Sequence, residues 1–508
     1  MDSRPFPPLA RHQPSRRPPP GKALRPASCL LAAALTIWPV GSGSAAPSDP
    51  LPAADLTAEE LRGRRAIEAK DTSPPERVLI VGANILTADG ATYPGGSVAL
   101  ADGKITYVGS TRPDLGDDYT VVDGTGKWVT PGLIDTHSHL GVYPSPGARA
   151  HSDGNEATSP TTPGVWAEHS FWPQDPGIER AVAGGITTIQ VLPGSANLIG
   201  GRGVVLEMVP QLGSRAMRFP GAPETVKMAC GENPKRVYGG RTTAPSTRMG
   251  NLRGHRAAFL KAEKLRREWD VWAEKEAERK TRPGKAKLPK GKAASDKGPS
   301  PPDRDLDAET LVGVLRGEIL PQVHCYRADD MISMMQLADE FGFSIRSFHH
   351  ALEAYKIRDI LASQGVGAST WADWWGFKLE AYDGIPENAA MLHQAGGRSI
   401  IHSDSPVGIQ RLNQEASKAM WSGRHAGIPI EEDEAIAWVS LNPAWALGID
   451  HLTGSLTVGK RADLVLWDTS PLSVYASAEK VYIAGVLRYD RAHPKVWSDF
   501  EIGQGVVR

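Results

Sequence analysis

Cysteine is almost missing from this chain: there are three in 508 residues, and only Cys230 and Cys325 lie beyond the N-terminal segment. Two cysteines hardly make a disulfide framework. The expectation is a pair of buried small apolar residues, although an exported protein could join them. An excess of one charge is missing as well. Lys and Arg number 57 against 58 Asp and Glu, so no overall field favours nucleic acid or an anionic membrane surface. The apolar run CLLAAALTIWPV (29–40) is too short to span a bilayer comfortably. No internal repeat is present. LIGGRG (198–203) lacks the dinucleotide fingerprint and is expected to form the turn into a strand. GSLTVGKR (454–461) has Arg461 where a phosphate loop needs Ser or Thr, and no helix follows, so it reads as a β-turn. With 40% apolar residues, what remains is a globular protein of about two or three units that handles a small molecule.

Residues 1–28 are rich in Pro and Arg, and GSGSAAP follows the apolar run. This reads as a signal peptide over 1–46 with cleavage near Ala46, which implies export, to a bacterial periplasm, and no stable membrane insertion afterwards. Residues 77–128 and 451–508 are both short strands punctuated by Asp-Gly and Gly turns, and are expected to form one small composite β-sandwich. Between them, over 129–450, apolar runs alternate with amphipathic stretches such as DDMISMMQLADEFG (329–342). Candidate strands are 131–137, 186–192, 203–209, 224–229, 319–325, 343–350, 366–370 and 398–404. Eight strands alternating with helices predict a parallel (β/α)8 barrel of TIM type, an α/β fold whose site forms at the C-terminal ends of its strands. An insertion interrupts the pattern between the fourth and fifth strands. Residues 255–280 read as one charged helix, and the basic, Pro- and Gly-rich stretch up to 305, counted from about 279, reads as disordered.

The chemistry gathers at the strand ends. Residues two apart on a strand share a face, so His137 and His139 of VTPGLIDTHSHL both turn inward. On their own they would also suit a polar loop. ILPQVHCY adds His324, whose parity puts Gln322 and His324 inside and Val323 outside. FSIRSFHH ends in two adjacent histidines, of which alternation admits one, and the parity of Ser344 and Arg346 selects His350. RSIIHSDSP adds Asp404, with His402 on the same face and one layer deeper. Imidazoles and a carboxylate recurring at the catalytic rim suit a borderline divalent ion such as zinc.

Five segments, TPGLIDTHSHL, VHCYRADDM, HHALEAYKI, IIHSDSPVGIQRLNQEA and GSLTVGKRADLVLWDTSPLSVYASAEKVYIAGVLRYD, resemble the metal-dependent amidohydrolase superfamily. They are most similar to its imidazolonepropionase-related group, which includes Xaa-Pro dipeptidase-like members. The resemblance implies a distorted barrel with a composite β-sandwich and one or two divalent ions held by His137, His139, His324, His350 and Asp404. Two-metal members carry a carboxylated lysine on the fourth strand, a place that Lys227 matches, with Glu232 as a rival ligand. His402 is then left to a structural role. The mechanism implied is activation of water by the metal, with Asp404 as general base and acid and a metal ion or His350 stabilising the oxyanion. The reaction expected is cleavage of a C–N bond in a dipeptide, an N-acyl amino acid or a cyclic amide. Deamination of a ring amidine and a noncatalytic scaffold are the alternatives, and a homo-oligomer is possible. The loop 151–176, with His151, Asp153, Asn155 and Glu156, is expected to hang over the catalytic face as a substrate-selecting segment or a polar rim.

Overall fold

The computed structural model describes residues 73–281 and 298–493. The signal-peptide reading of 1–46 therefore lies outside the described residues.

Both β-rich flanks enter one sheet. Val78–Leu86 (β1), Thr92–Ala101 (β2), Lys104–Gly109 (β3), Thr120–Asp123 (β4) and Trp128–Pro131 (β5) come from the N-terminal side. The sheet is completed by three strands from the other end of the chain, Leu464–Trp467, Ala478–Ile483 and Val486–Asp490. The seam is the antiparallel pairing of Leu464–Trp467 with β5, where Val465 faces Thr130 and Trp467 faces Trp128. Trp467 Nε1 also donates to Thr130 Oγ1 at 2.9 Å. Strand alternation divides the labour: Leu464 and Leu466 pack with Val78, Ile80, Val98 and Leu100 in the sheet's own core, while Val465 and Trp467 face the core of the central region.

The second sheet runs in chain order through Leu133–Ser138 (β6), Ile186–Val191 (β7), Ile199–Glu207 (β8), Glu224–Ala229 (β9), Ile319–Cys325 (β10), Ser347–His350 (β11), Gly367–Thr370 (β12) and Ser399–Ile401 (β13). All eight expected strands are present, though the last three are shorter than expected. One departs from the expected direction: β8 is antiparallel to both neighbours. The connection 192–198 is too short for the crossover that a parallel neighbour requires, so the chain turns back beside β7. LIGGRG is not a turn either, since 199–203 lie inside β8. A Cβ on Gly201, whose φ is +124°, would stand 2.5 Å from Val165 O; the glycines let the 151–176 loop pack directly on the strand. Beyond β13, Asp404 N donates to His137 O at 3.0 Å, linking the last strand end to the first.

The insertion begins with a 34-residue helix, Arg248–Thr281. Its buried residues Asn251, His255, Phe259, Ala262 and Leu265 recur every three or four positions, one stripe against the body. Residues 282–297 lie outside the description. The expected disorder does not extend to 298–305, however: Trp272 Nε1 donates to Pro299 O at 2.9 Å, and Asp305 pairs with Lys261 at 2.6 Å and caps the next helix through Ala308 N.

Cys230 and Cys325 form a disulfide with Cα atoms 5.3 Å apart, which corrects the reading of two free buried thiols. β9 and β10 pair in parallel with Ala229 opposite His324, so the residues that follow come together although they are 95 apart in sequence.

Candidate metal centre

The end of β6 sets the first donors. Asp135, fully buried, accepts from His137 N at 3.0 Å, from Ser403 N at 3.2 Å and from Ser403 Oγ. It ties the first strand end to the last. Burial pushes its carboxyl up to about 6, against the pull of those bonds. His137 and His139 both face inward, with ring centroids 5.1 Å apart. His139 Nδ1 lies 2.9 Å from Leu192 O, which makes it the donor, and Nε2 then faces Asp404 Oδ1 at 3.2 Å. His324, at the end of β10, has Nδ1 2.9 Å from Ser195 Oγ. Its buried Nε2 has no hydrogen-bond partner among the described residues.

At the end of β11 the expected choice between two histidines is not made: both turn inward. His349 Nδ1 lies 2.9 Å from His137 Nδ1. His350 has its ring 4.6 Å from His137 and from His324, with Nδ1 4.0 Å from Asp404 Oδ2. The alternation fails because His350 has φ +68°, a left-handed conformation that swings its side chain off the strand's outer face. Asp404 shares this conformation, at φ +50°. Strained backbone at two adjoining donors is a pattern typical of functional sites.

His402 is also part of the cluster. Its ring lies 5.1 Å from His137 and 4.9 Å from His350, and both its nitrogens are buried without a hydrogen-bond partner among the described residues. Burial takes it down to about 3, with Asp404 pulling the other way. Lys227 projects from β9 with Nζ 3.0 Å from Pro193 O and 3.3 Å from His137 Nε2. Burial drives this amine down to about 7, against the attraction of Asp404. For Asp404 itself, burial favours the neutral form, but the His139 hydrogen bond and the charges of His139, His402 and Lys227 outweigh it and hold the carboxyl below its ordinary range. The rival Glu232 is elsewhere, paired with Lys378 at 3.2 Å.

The donor set fits a divalent cation. His137, His350 and His402 offer atoms within 4.8 Å of one another, and so do His137, His139 and Asp404. Buried imidazole nitrogens without partners are costly unless something accepts their lone pairs. The loop at 151–176 makes its own local contacts. The His151 ring lies 4.6 Å from that of Trp172, Asn155 Nδ2 donates to Tyr143 Oη at 2.5 Å, and Glu156 contributes its carbonyl to Asn197.

The segment after β12, WADWWGFKLEAYDG (371–384), holds residues that strand parity does not reach. Trp371 stacks on His350 at 4.5 Å and on Trp374 at 5.2 Å, and Phe377 lies 6.2 Å from Tyr326 and 5.9 Å from Trp371. Its charged members point back: Asp373 to Lys418, Lys378 to Glu232, Glu380 to Arg248. Trp374, Trp375 and Phe377 are left 39%, 55% and 56% exposed. Three tryptophans and a phenylalanine within seven residues of a loop were a compositional signal for this wall.

Residues 381–507 match the amidohydrolase family. An amidohydrolase of known structure from Thermotoga maritima superposes with a TM-score of 0.70 at 34% identity, covering 82% of this chain and all of that one. The chain belongs to the amidohydrolase family. Its second sheet is therefore the strand layer of the family's (β/α)8 barrel. Members of this family are metal-dependent hydrolases acting on carbon–nitrogen bonds. The amidohydrolase tasK of Hapsidospora irregularis is 36% identical over 413 residues, which cover 78% of this chain and 40% of the fungal protein. This amidohydrolase thus spans well under half the length of that relative. The imidazolonepropionase of Mesorhizobium japonicum is 26% identical over 426 residues, covering 79% of this chain and 91% of that one.

Proposed function

We propose that this amidohydrolase cleaves an amide bond in a small substrate such as a dipeptide, an N-acyl amino acid or a cyclic amide, with one or two divalent ions held by His137, His139, His324, His350 and Asp404. Zinc suits this imidazole-rich set. The observation that carries the reading is the convergence of His350 and His402, whose buried imidazole nitrogens lack hydrogen-bond partners among the described residues, on His137 and Asp404, with His324 beside His350. His402 joins the set as a further donor. Lys227 is assigned the bridging position as a carbamate. An amine near pKa 7 is substantially uncharged at neutral pH, which reaction with carbon dioxide requires, and the anion formed would replace a cation that two metal ions would repel.

A bound divalent ion supplies Lewis acidity, lowering the pKa of water toward about 7 and polarising the scissile carbonyl. Asp404, held ionised by its neighbours, takes the proton from the attacking water and returns it to the departing nitrogen. His350 would hold the ion or, where the ion is held by the other donors, stabilise the oxyanion. Trp371 packs over His350 and limits water on that side.

Export is part of the same proposal, with the signal peptide ending near Ala46 and a periplasmic destination; the Cys230–Cys325 disulfide supports an oxidising compartment. The two ends of the chain are assigned to a β-sandwich, a reading supported by the separate core packed on one face of their shared sheet. The deciding experiment is incubation of zinc-reconstituted protein with dipeptides and N-acyl amino acids, followed by product analysis. New amine and carboxylate termini support the proposal. Ammonia as the sole nitrogen product would make the protein a deaminase instead.

A further inference from the structure

We infer that Gln322 and His349 are positioning residues that hold His137 in the tautomer whose bare Nε2 faces the metal position; the inference rests on the metal-centre reading above.

The relay starts at a carbonyl. Gln322 Nε2 donates to Ala446 O at 3.0 Å, which sets Gln322 Oε1, an acceptor, 2.8 Å from His349 Nε2. Reversing the amide would press Oε1 against the Ala446 oxygen, acceptor on acceptor, so its orientation is determined at both ends. His349 Nε2 must then carry the proton. In a neutral imidazole the other nitrogen is an acceptor, and His349 Nδ1 lies 2.9 Å from His137 Nδ1. His137 therefore carries its proton on Nδ1 and donates it. Its Nε2 keeps a lone pair.

A separate contact agrees. Lys227 Nζ, which donates to Pro193 O, stands 3.3 Å from His137 Nε2 and can also donate to a lone pair there, while Asp404 Oδ1, 3.8 Å from the same nitrogen, is beyond hydrogen-bond reach. Gln322, His349 and His137 are all fully buried, so water cannot substitute for a broken link. The 2.9 Å contact between the two Nδ1 atoms requires one donor and one acceptor, and a cationic His349 would set an N–H against the N–H of His137. For His139 one side is fixed more simply, because its Nδ1 faces a backbone carbonyl, Leu192 O, at 2.9 Å and must donate to it. For His137 the polarity is imposed two side chains away, which gives the second histidine of the His349–His350 pair a task of its own.

His349→Phe removes the acceptor and lets His137 take either tautomer. Zinc affinity, measured by competition with a chelator, is expected to fall about 10- to 100-fold, with the metal-free melting temperature as the control for folding. His349→Gln, whose amide oxygen can accept the His137 Nδ1 proton, is expected to restore most of that loss. A residue with a merely structural role would change the melting temperature and leave zinc affinity unaltered, and that result would overturn the inference. The nitrogen spectrum of histidine-labelled, metal-free wild-type protein reads the tautomer without any variant: His137 protonated on Nδ1 supports the relay, and protonation on Nε2 overturns it. Wild-type protein that binds no zinc would refute the metal-centre reading, while the spectrum would still decide the tautomer.

Discussion

His139 Nε2 lies 3.2 Å from Asp404 Oδ1, a contact between the first and last strand ends of the barrel. Among the described residues Asp404 supplies the one carboxylate of the donor clusters, and the proposed chemistry has it take the proton of the attacking water. Asp404→Asn keeps the size and much of the hydrogen bonding of the side chain but cannot take a proton. Turnover is expected to fall about 10²- to 10⁴-fold, with circular dichroism and melting temperature near wild type. Undiminished turnover in the Asn variant would remove Asp404 from proton transfer.

Metal content is the second expectation. Protein purified without chelator should carry about one or two divalent ions per chain, read by elemental analysis. Dialysis against a strong chelator should abolish hydrolysis and lower the melting temperature, since the ion stabilises the folded state that binds it, and added zinc should restore both. A metal-free preparation with full activity would contradict the proposed chemistry.

Lys227→Ala removes the one amine on the fourth strand that faces the donors. Where the carbamate bridges two ions, the variant should hold fewer ions than wild type, about one instead of two. An unaltered metal count would return Lys227 to a role in packing, through its bond to Pro193 O.

His255 provides a pH test away from the donors. It is fully buried on the insertion helix, 3.0 Å from Ala229 O, and burial takes it down to about 4 against the raising effect of that bond. Between its ordinary value near 6.5 and about 4, the unfolded chain takes up a proton that the folded chain refuses. Stability from this group is present above pH 6.5 and is lost as pH falls toward 4, by at most about 3 kcal/mol. The wild-type melting temperature should drop more than that of His255→Gln between pH 7.5 and 5. Parallel curves would show that His255 does not titrate as proposed.

The disulfide closes a long loop, its cysteines 95 positions apart in sequence, and chain-entropy reasoning gives it about 4 to 5 kcal/mol. Reductant, or Cys230→Ala, should lower the melting temperature by several degrees. A melting curve insensitive to both would mean that the bond adds nothing to stability.

The barrel was readable because its signals are local. Apolar runs of strand length, amphipathic stretches between them and turn residues at their ends report pairing and burial over a few residues at a time. Parity along each strand likewise singled out His137, His139, His324, His350 and Asp404, and these five converge in the structure. The antiparallel course of β8 was also implicit in its short connection. The errors arose where one residue leaves the regular pattern. His350 adopts a left-handed φ that no alternation rule anticipates, so His349 was wrongly turned outward. His402 was set aside because the ligand set looked complete; its two nitrogens are buried beside His137 and His350 without a hydrogen-bond partner among the described residues.

By itself, then, the sequence determined which residue types stand at the strand ends and, where the strand stays regular, which face each one takes, because side-chain direction on a regular strand follows from backbone geometry alone. Only the tertiary structure decided who meets whom: Cys230 with Cys325, Asp135 with Ser403, and Gln322 with His349 and His137. Those pairings depend on strand register and on a few strained torsions, and both are set by the packing of the whole barrel rather than by neighbours in the chain.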